Sequence, residues 1–491
     1  MGKRALAALF ALLALSVLGA GASLAGCGGG SDSDSESDID QPAFSEPPRI
    51  PVKNGVTLRA EETEFVAGGQ TVKGRSYNGE FIGPTLVINR GEAVYLTLEN
   101  ALAEETTNLH YHGFHVTPKP PSDQVITTMI QPGGTYHYKV PIPAKHDQGT
   151  FWYHSHNHGT SEGQVFGGLS GVALIGTPQV KFSEDRVLAL KDFQVGDDGE
   201  IPREGIDSDA TTTRTVNGLL EPQIDLVPQA WELWRLANIS ADIFYDVELE
   251  GQKLYVVNQD GNPVEQIWAA KDLVLPPGKR FDVLVMVYKP GTYLLKTLKY
   301  KTGPTGDEYP EKTLATVAVG GEPAEEKIPL SEQERLVEQN GRALPQPTKE
   351  RTKILTERET PTESVFMING RTFNPNRIDD TVKLNTVEDW TFKNETEEQH
   401  PIHIHQDDFW VIAENNQQII PNGQQDTVIV PPGGSVKLRI PFTDFEGEFV
   451  YHCHILNHED NGMMATINVN ATGEEQAASA GPAHDHSSHS H

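Results

Sequence analysis

Apolar and polar positions alternate through most of this chain, and the alternating runs recur three times with the same punctuation. Three segments carry an Asn-Gly turn: Y-N-G-E-F-I-G-P-T-L from Tyr77, V-N-G-L-L-E-P-Q-I from Val216 and I-N-G-R-T-F-N-P from Ile368. Three later segments carry a Pro-Gly turn, at Pro132-Gly133-Gly134, Pro277-Gly278 and Pro432-Gly433-Gly434. A further glycine then opens an alternating run in each case: G-T-F-W-Y-H-S-H from Gly149, G-T-Y-L-L-K-T-L from Gly291 and G-E-F-V-Y-H-C-H from Gly447. Short runs of period two, rich in aromatic and β-branched residues and bounded by such turns, predict strands of β-sandwiches. The fold class is therefore all-β, with three similar domains over about 45–177, 178–321 and 361–472. The charged, proline-containing stretch 322–360 reads as a linker. Within it, S-E-Q-E-R-L-V-E predicts a short helix capped by Ser331, with Glu334 three residues on.

The ends read differently. Lys3 and Arg4 precede an apolar run from Ala5 to Leu18, and small residues lead to L-A-G-C at Leu24 to Cys27. That is the pattern of a secretory signal over residues 1–26. L-A-G-C resembles a bacterial lipobox, which implies cleavage before Cys27, lipidation of its sulfur and a place at the cell envelope facing away from the cytoplasm. Residues 27–44 are Gly-, Ser- and Asp-rich and read as a flexible tether. Residues 473–491 end in H-D-H-S-S-H-S-H and read as a polar, disordered tail. Past the signal, no apolar run is long enough to cross a bilayer as a helix. The formal charge of −30 argues against nucleic-acid binding, which requires a basic face. Only Cys27 and Cys453 are cysteines, so no disulfide is expected.

Chemistry concentrates between Gly447 and Met464. His452 and His454 flank Cys453, and His458 and Met463 follow. A thiolate, imidazoles and a thioether in so short a span suit copper. Successive side chains on a strand point to opposite faces. Cys453 can therefore serve one metal while His452 and His454 serve others behind it. Three more His-x-His pairs occur, at His110/His112, His154/His156 and His403/His405. Aligned by repeat, His154 and His156 correspond to His452 and His454, and Ser155 stands where the third domain has Cys453. The middle repeat has Lys296 and Leu298 in those places, so it reads as a spacer, with the metal cluster between domains one and three.

The spacing His-Cys-His, three residues, His, four residues, Met closely resembles the last copper motif of the multicopper oxidases, and the resemblance covers nearly all of the mature chain. It implies three cupredoxin-like β-sandwich, Greek-key domains and four copper ions per chain. By that resemblance His400, Cys453 and His458 hold the type 1 copper, with Met463 as weak axial ligand. His110 and His403 hold the type 2 copper. His112, His154, His156, His405, His452 and His454 hold the type 3 pair. The implied reaction takes electrons singly from a donor at type 1 copper and reduces O2 to water at the three-copper cluster. Glu459 matches a proton-relay position of bacterial members, and Asp123 lies where the family often has a carboxylate near the cluster. Gln406 stands where the family often has Gly, a departure that removes no ligand. His115 and His158 read as supporting or surface groups, and His137 and His146 as surface or core residues.

The resemblance leaves the donor open. Phenols and aromatic amines, as for a laccase, are the expected class, with Cu(I) or Fe(II) the alternative. The only methionine cluster is Met463-Met464, which argues against a Met-rich metal gate but not against metal oxidation. Some relatives lose the coppers and become structural or cell-division proteins, and a non-enzymatic copper store is a further alternative. Here all twelve expected ligands are present. Both contributing domains lie in one chain, so a monomer is expected to suffice.

Overall fold

A computed structural model describes residues 41–207, 210–337, 344–359 and 364–475. The signal, Cys27, most of the tether and the histidine-rich end of the tail lie outside the described residues. The described residues form one compact unit.

The alternating runs are strands, and they pair into two principal sheets per repeat. The first repeat has a five-stranded sheet ending on His110–His112 and Gly149–His154, and a four-stranded sheet built on Val56–Ala67. Each of the other repeats has a six-stranded and a five-stranded sheet. Period-two burial is explicit at Ser435–Phe442, where Val436, Leu438, Ile440 and Phe442 are buried and the residues between them are less so. The apolar faces meet inside each repeat. Leu58, Leu96 and Leu98 of one sheet pack with Leu86, Phe151 and Ala173 of the other in the first. The Asn-Gly turns also behave alike, with Asn78, Asn217 and Asn369 at φ 60°, 56° and 54° and the following glycines also at positive φ. Both central residues of a type I′ hairpin turn require that region.

Three expectations need correction. Part of the stretch read as a linker is the strand Lys349–Glu359, which pairs in parallel with Thr386–Asn394 inside the third repeat's six-stranded sheet. Its charge hid it. Lys353 is buried, ion-paired to Asp380 and placed over the Trp390 ring at 4.4 Å, so a cation occupies a core position. The helix is Leu330–Val337, which contains Ser331 instead of being capped by it. The last residues of the presumed tether are engaged: Ala43 bridges Gln223, and the Phe44 amide donates to the Gln223 carbonyl at 3.0 Å.

Strand pairing sets the metal motifs side by side. His110–His112 runs antiparallel to Gly149–His154, with His110 opposite His154. His400–Ile404 runs antiparallel to Gly447–Cys453, with Ile402 opposite Cys453 and His403 opposite His452.

Candidate metal centre

The strand Gly447–Cys453 ends at the cysteine, and its alternation separates two clusters. On one face Cys453 Sγ lies 3.6 Å from His400 Nδ1 and 3.6 Å from His458 Nδ1, and these two nitrogens are 3.2 Å apart. The three donor atoms thus form a compact triangle. His458 is delivered by the short helix Leu456–Asp460 and stacks on Phe366 with ring centroids 3.9 Å apart. Met463 is fully buried, and its backbone carbonyl accepts from the Cys453 amide at 3.0 Å, which folds the Met segment back beside the cysteine. Burial pushes the Cys453 thiol up and the His400 and His458 imidazoles down, His400 to about 3. The imidazoles are therefore neutral and ready to ligate, and the thiol gives up its proton only on binding a metal.

On the other face His452 and His454 enter a cage of eight imidazoles, all buried. Each His-x-His pair keeps its rings 5.0–5.7 Å apart on one side of its strand. Pairs from the first and third repeats interleave: His110 stacks on His405 at 3.8 Å, and His112 on His403 at 3.7 Å. His156 Nε2 and His405 Nε2 converge on His452 Nε2 at 3.2 and 3.3 Å. His112 Nδ1 meets His454 Nε2 at 3.2 Å. The Nε2 atoms of His110, His154 and His403 have no hydrogen-bond partner among the described residues. Buried polar atoms are rarely left unpaired in native proteins. A cage of buried, inward imidazole nitrogens, several of them orphaned, fits copper ions, and the imidazole–thiolate set across the strand fits one more.

Five of the cage histidines have the outward nitrogen fixed by a partner. His154 Nδ1 and His452 Nδ1 donate to the carbonyls of Ser155 and Cys453 at 2.8 and 2.9 Å. His403 Nδ1 donates to the Asp426 carbonyl at 2.9 Å. His110 Nδ1 faces the Asp123 carboxylate at 3.0 Å. His112 is reversed: its Nε2 faces Asp426 Oδ1 at 3.2 Å, which leaves Nδ1 inward. Such partners set which nitrogen is free to ligate.

Three carboxylates border the cage. Asp123 accepts from the Tyr111 amide at 3.1 Å and from Gln406 Nε2 at 2.8 Å, and burial raises it to about 7. Glu459 accepts from the Ser161 hydroxyl at 3.2 Å and lies 3.6 and 3.5 Å from His156 Nδ1 and His452 Nδ1; burial pushes it up. Burial acts the same way on Asp426, but the Arg280 guanidinium outweighs it and holds that carboxyl below its usual range. Asp426 and Arg280 were not singled out in the sequence, where neither sits in a histidine motif.

The remaining histidines among the described residues lie outside both clusters. The His146 ring accepts from the His115 amide at 3.0 Å, His137 pairs with Thr97, and His158 packs on Phe373. His115 supports the site from outside by donating to the Gln406 carbonyl at 2.6 Å. It lines a polar cavity of about 190 Å³ together with Asp407, Asp408 and Asp444.

Family models described as multicopper oxidase match residues 59–179, 188–320 and 343–473. The chain is 29% identical over 430 residues to a multicopper oxidase of Staphylococcus haemolyticus, covering 84% of this chain and 88% of the relative. It is 24% identical to a laccase of Bacillus subtilis, covering 80% and 89%. Its fold matches a multicopper oxidase of Campylobacter jejuni described as a metallo-oxidase, with a TM-score of 0.78, 26% identity and coverage of 87% of this chain and 95% of that one. The three domains are cupredoxin-like, and the chain belongs to the multicopper oxidases, copper-containing oxidoreductases that use O2.

Proposed function

We propose that the chain oxidises phenols and aromatic amines in single-electron steps at the Cys453 cluster and reduces O2 to water at the histidine cage. The observation that carries this reading is the position of Cys453: its sulfur belongs to one cluster, and both its sequence neighbours belong to the other. A few covalent bonds therefore join the two centres.

His400 Nδ1, His458 Nδ1 and Cys453 Sγ, together with Met463, would hold type 1 copper. His110 and His403 would hold type 2 copper through Nε2. His112, His154 and His454 would hold one type 3 ion, and His156, His405 and His452 the other. Bound there, the four coppers supply one-electron transfer and the binding and reduction of O2.

The protein's own groups do the rest. His458 is buried but less completely than His400, at 6% exposure against 0%, and its Nε2 lies 3.6 Å from the Glu398 carboxylate. A phenol docked there can pass its proton to Glu398 as its electron leaves through His458. Glu459 and Asp123 border the cage where protons are consumed. Proton delivery by a positioned side chain is general acid catalysis.

The same carboxylate favours a second reading, in which the donor is Cu(I) or Fe(II) held by Glu398 oxygen. The likeness to the Campylobacter jejuni protein, described as a metallo-oxidase, supports it as well. Oxygen uptake by copper-loaded protein, measured with a phenol and with Cu(I) separately and corrected for spontaneous oxidation, decides between them. Uptake with the phenol, weakened by Glu398→Gln, supports the laccase-like reading; uptake with Cu(I) alone overturns it in favour of metal oxidation. The lipobox at Cys27 places this activity at the cell envelope in our reading, and mass measurement of the mature N-terminus for a lipidated Cys27 tests that.

A further inference from the structure

The middle domain carries none of the imidazoles, yet one of its residues packs against the cage and another grips a carboxylate that borders it. Gly278, in the middle Pro-Gly turn, has φ +83°, and a Cβ there would stand 2.9 Å from His454 Cδ2 and 3.0 Å from His112 Cε1. The matching glycines of the other turns, Gly133 and Gly433, have nothing within 4 Å of such an atom. The turn that is free in the outer domains is packed against the metal ligands in the middle one.

Arg280 follows two residues later and is fully buried. Its guanidinium grips Asp426 of the third domain with both arms, Nη1 to Oδ1 at 2.9 Å and Nη2 to Oδ2 at 2.7 Å. Its Nε donates to the Thr150 carbonyl of the first domain at 3.2 Å, and Nη1 also donates to the Gly278 carbonyl at 2.9 Å. All three domains therefore meet on one side chain. The middle domain reinforces this seam through Lys279, which donates to Asp260 at 2.8 Å and to the Thr427 carbonyl at 2.9 Å. Asp426 passes the constraint on, with Oδ1 3.2 Å from His112 Nε2 and its carbonyl on His403 Nδ1. A paired Arg–carboxylate fork fixes orientation as well as charge. Gly113, directly after His112, leaves the room this pair fills, because a Cβ there would run into both Arg280 and Asp426.

We propose that Arg280 is a positioning residue of the cage: by holding Asp426 against His112 and His403 it turns His112 Nδ1 and His403 Nε2 inward, so that the middle domain governs copper loading of the cage but not of the Cys453 cluster. This rests on the copper assignment above. The Cys453 cluster draws His400, Cys453, His458 and Met463 from the third domain alone, so it serves as an internal control for folding.

The test is copper loading of the full chain and of Arg280→Met, Arg280→Lys and the double variant Arg280→Met with Asp426→Asn. The double variant removes both buried charges together, which folds tolerate better than removal of one. Arg235→Met, which breaks the buried pair with Asp185 elsewhere in the middle domain, is the structural control. Readouts are copper per chain, the blue absorbance of the Cys453 cluster and the paramagnetic resonance signal of type 2 copper. Arg280→Met and the double variant are expected to keep the blue absorbance, lose the type 2 signal and bind cage copper about 10- to 100-fold more weakly, the usual effect of losing a group that orients a metal ligand. Arg280→Lys restores part of the signal, and Arg235→Met leaves both centres intact. Full cage copper with an unchanged type 2 signal in Arg280→Met and the double variant overturns the proposal. So does loss of the blue absorbance in step with the cage copper in both. A wild-type chain with no blue absorbance at all instead defeats the copper assignment itself.

Discussion

His112 Nδ1 stands 3.2 Å from His454 Nε2, although 342 residues separate the two in sequence. The first lies on a strand of the first domain, and the second follows the last residue of a strand of the third. The cage exists only when those domains are closed on each other, whereas the Cys453 cluster is complete within one. The two centres differ in what builds them and are joined by Cys453.

Replacing Cys453 with Ser should separate them. Ser155, the equivalent residue of the first domain, is buried one residue past its strand, with its hydroxyl bonded to Thr107 and Gln164. Cys453→Ser is expected to abolish the blue absorbance and donor oxidation while the cage keeps its copper. Absorbance together with metal content checks this; retained donor oxidation would show that electrons reach the cage by another route.

Glu459→Gln should keep the shape and the Ser161 contact but has no proton to give. Turnover at saturating donor is expected to fall about 100-fold, within the usual range for a general acid, with copper content and blue absorbance unchanged. Steady-state oxygen uptake measures it. Equal turnover in the two proteins would leave Glu459 a packing residue.

Gln406 sits at φ +67° and is 5% exposed, a left-handed conformation that only glycine adopts freely. Its amide nevertheless reaches Asp123. Ala and Gly at 406 lose that hydrogen bond equally, but Ala keeps the strain. Gln406→Gly should therefore be about 1 kcal/mol more stable than Gln406→Ala, the reverse of the order in strands and helices. Denaturant unfolding of the two variants checks this, and Ala at or above Gly in stability would contradict it.

Lys191 is fully buried beside the Val165 carbonyl, and burial lowers its ammonium from 10.5 to about 7. Between those values the unfolded chain holds a proton that the native state has released. Stability should accordingly rise with pH from about 7 toward 10.5, and the whole penalty should apply below about 7. Each unit of pH in that window is worth up to about 1.4 kcal/mol. Lys191→Met removes this titration, so the difference in unfolding free energy between wild type and variant should change between pH 7 and 9. A constant difference would mean that Lys191 does not titrate there.

Much of the site was legible because strand geometry is strict. Residues two apart share a face, so the four His-x-His pairs and the outward turn of Cys453 could be read from spacing alone, and repeat alignment paired the first domain with the third. Arg280, Gly278 and Asp426 were not legible. Their importance comes from docking between domains, and Gly278 looks the same in sequence as Gly133 and Gly433, where an added Cβ would meet nothing within 4 Å. Reading the middle domain as a spacer, from its lack of ligands, left these contacts out. The strand Lys349–Glu359 was missed because ion pairs of the partly buried Arg351 and the buried Lys353 stand where apolar residues would mark its inner side. Gln406 was visible as a departure, but its reach to Asp123 depends on a backbone angle that no residue pattern reveals.

The central claim is that Cys453 wires an electron-collecting copper to an oxygen-reducing cage. The most direct measurement is the blue absorbance of copper-loaded protein, bleached by a donor without oxygen and then mixed rapidly with O2. The account predicts that the colour returns as O2 is consumed, because electrons drain through Cys453 into the cage. Absorbance that stays bleached while O2 remains unconsumed, in protein carrying its full copper, would contradict it.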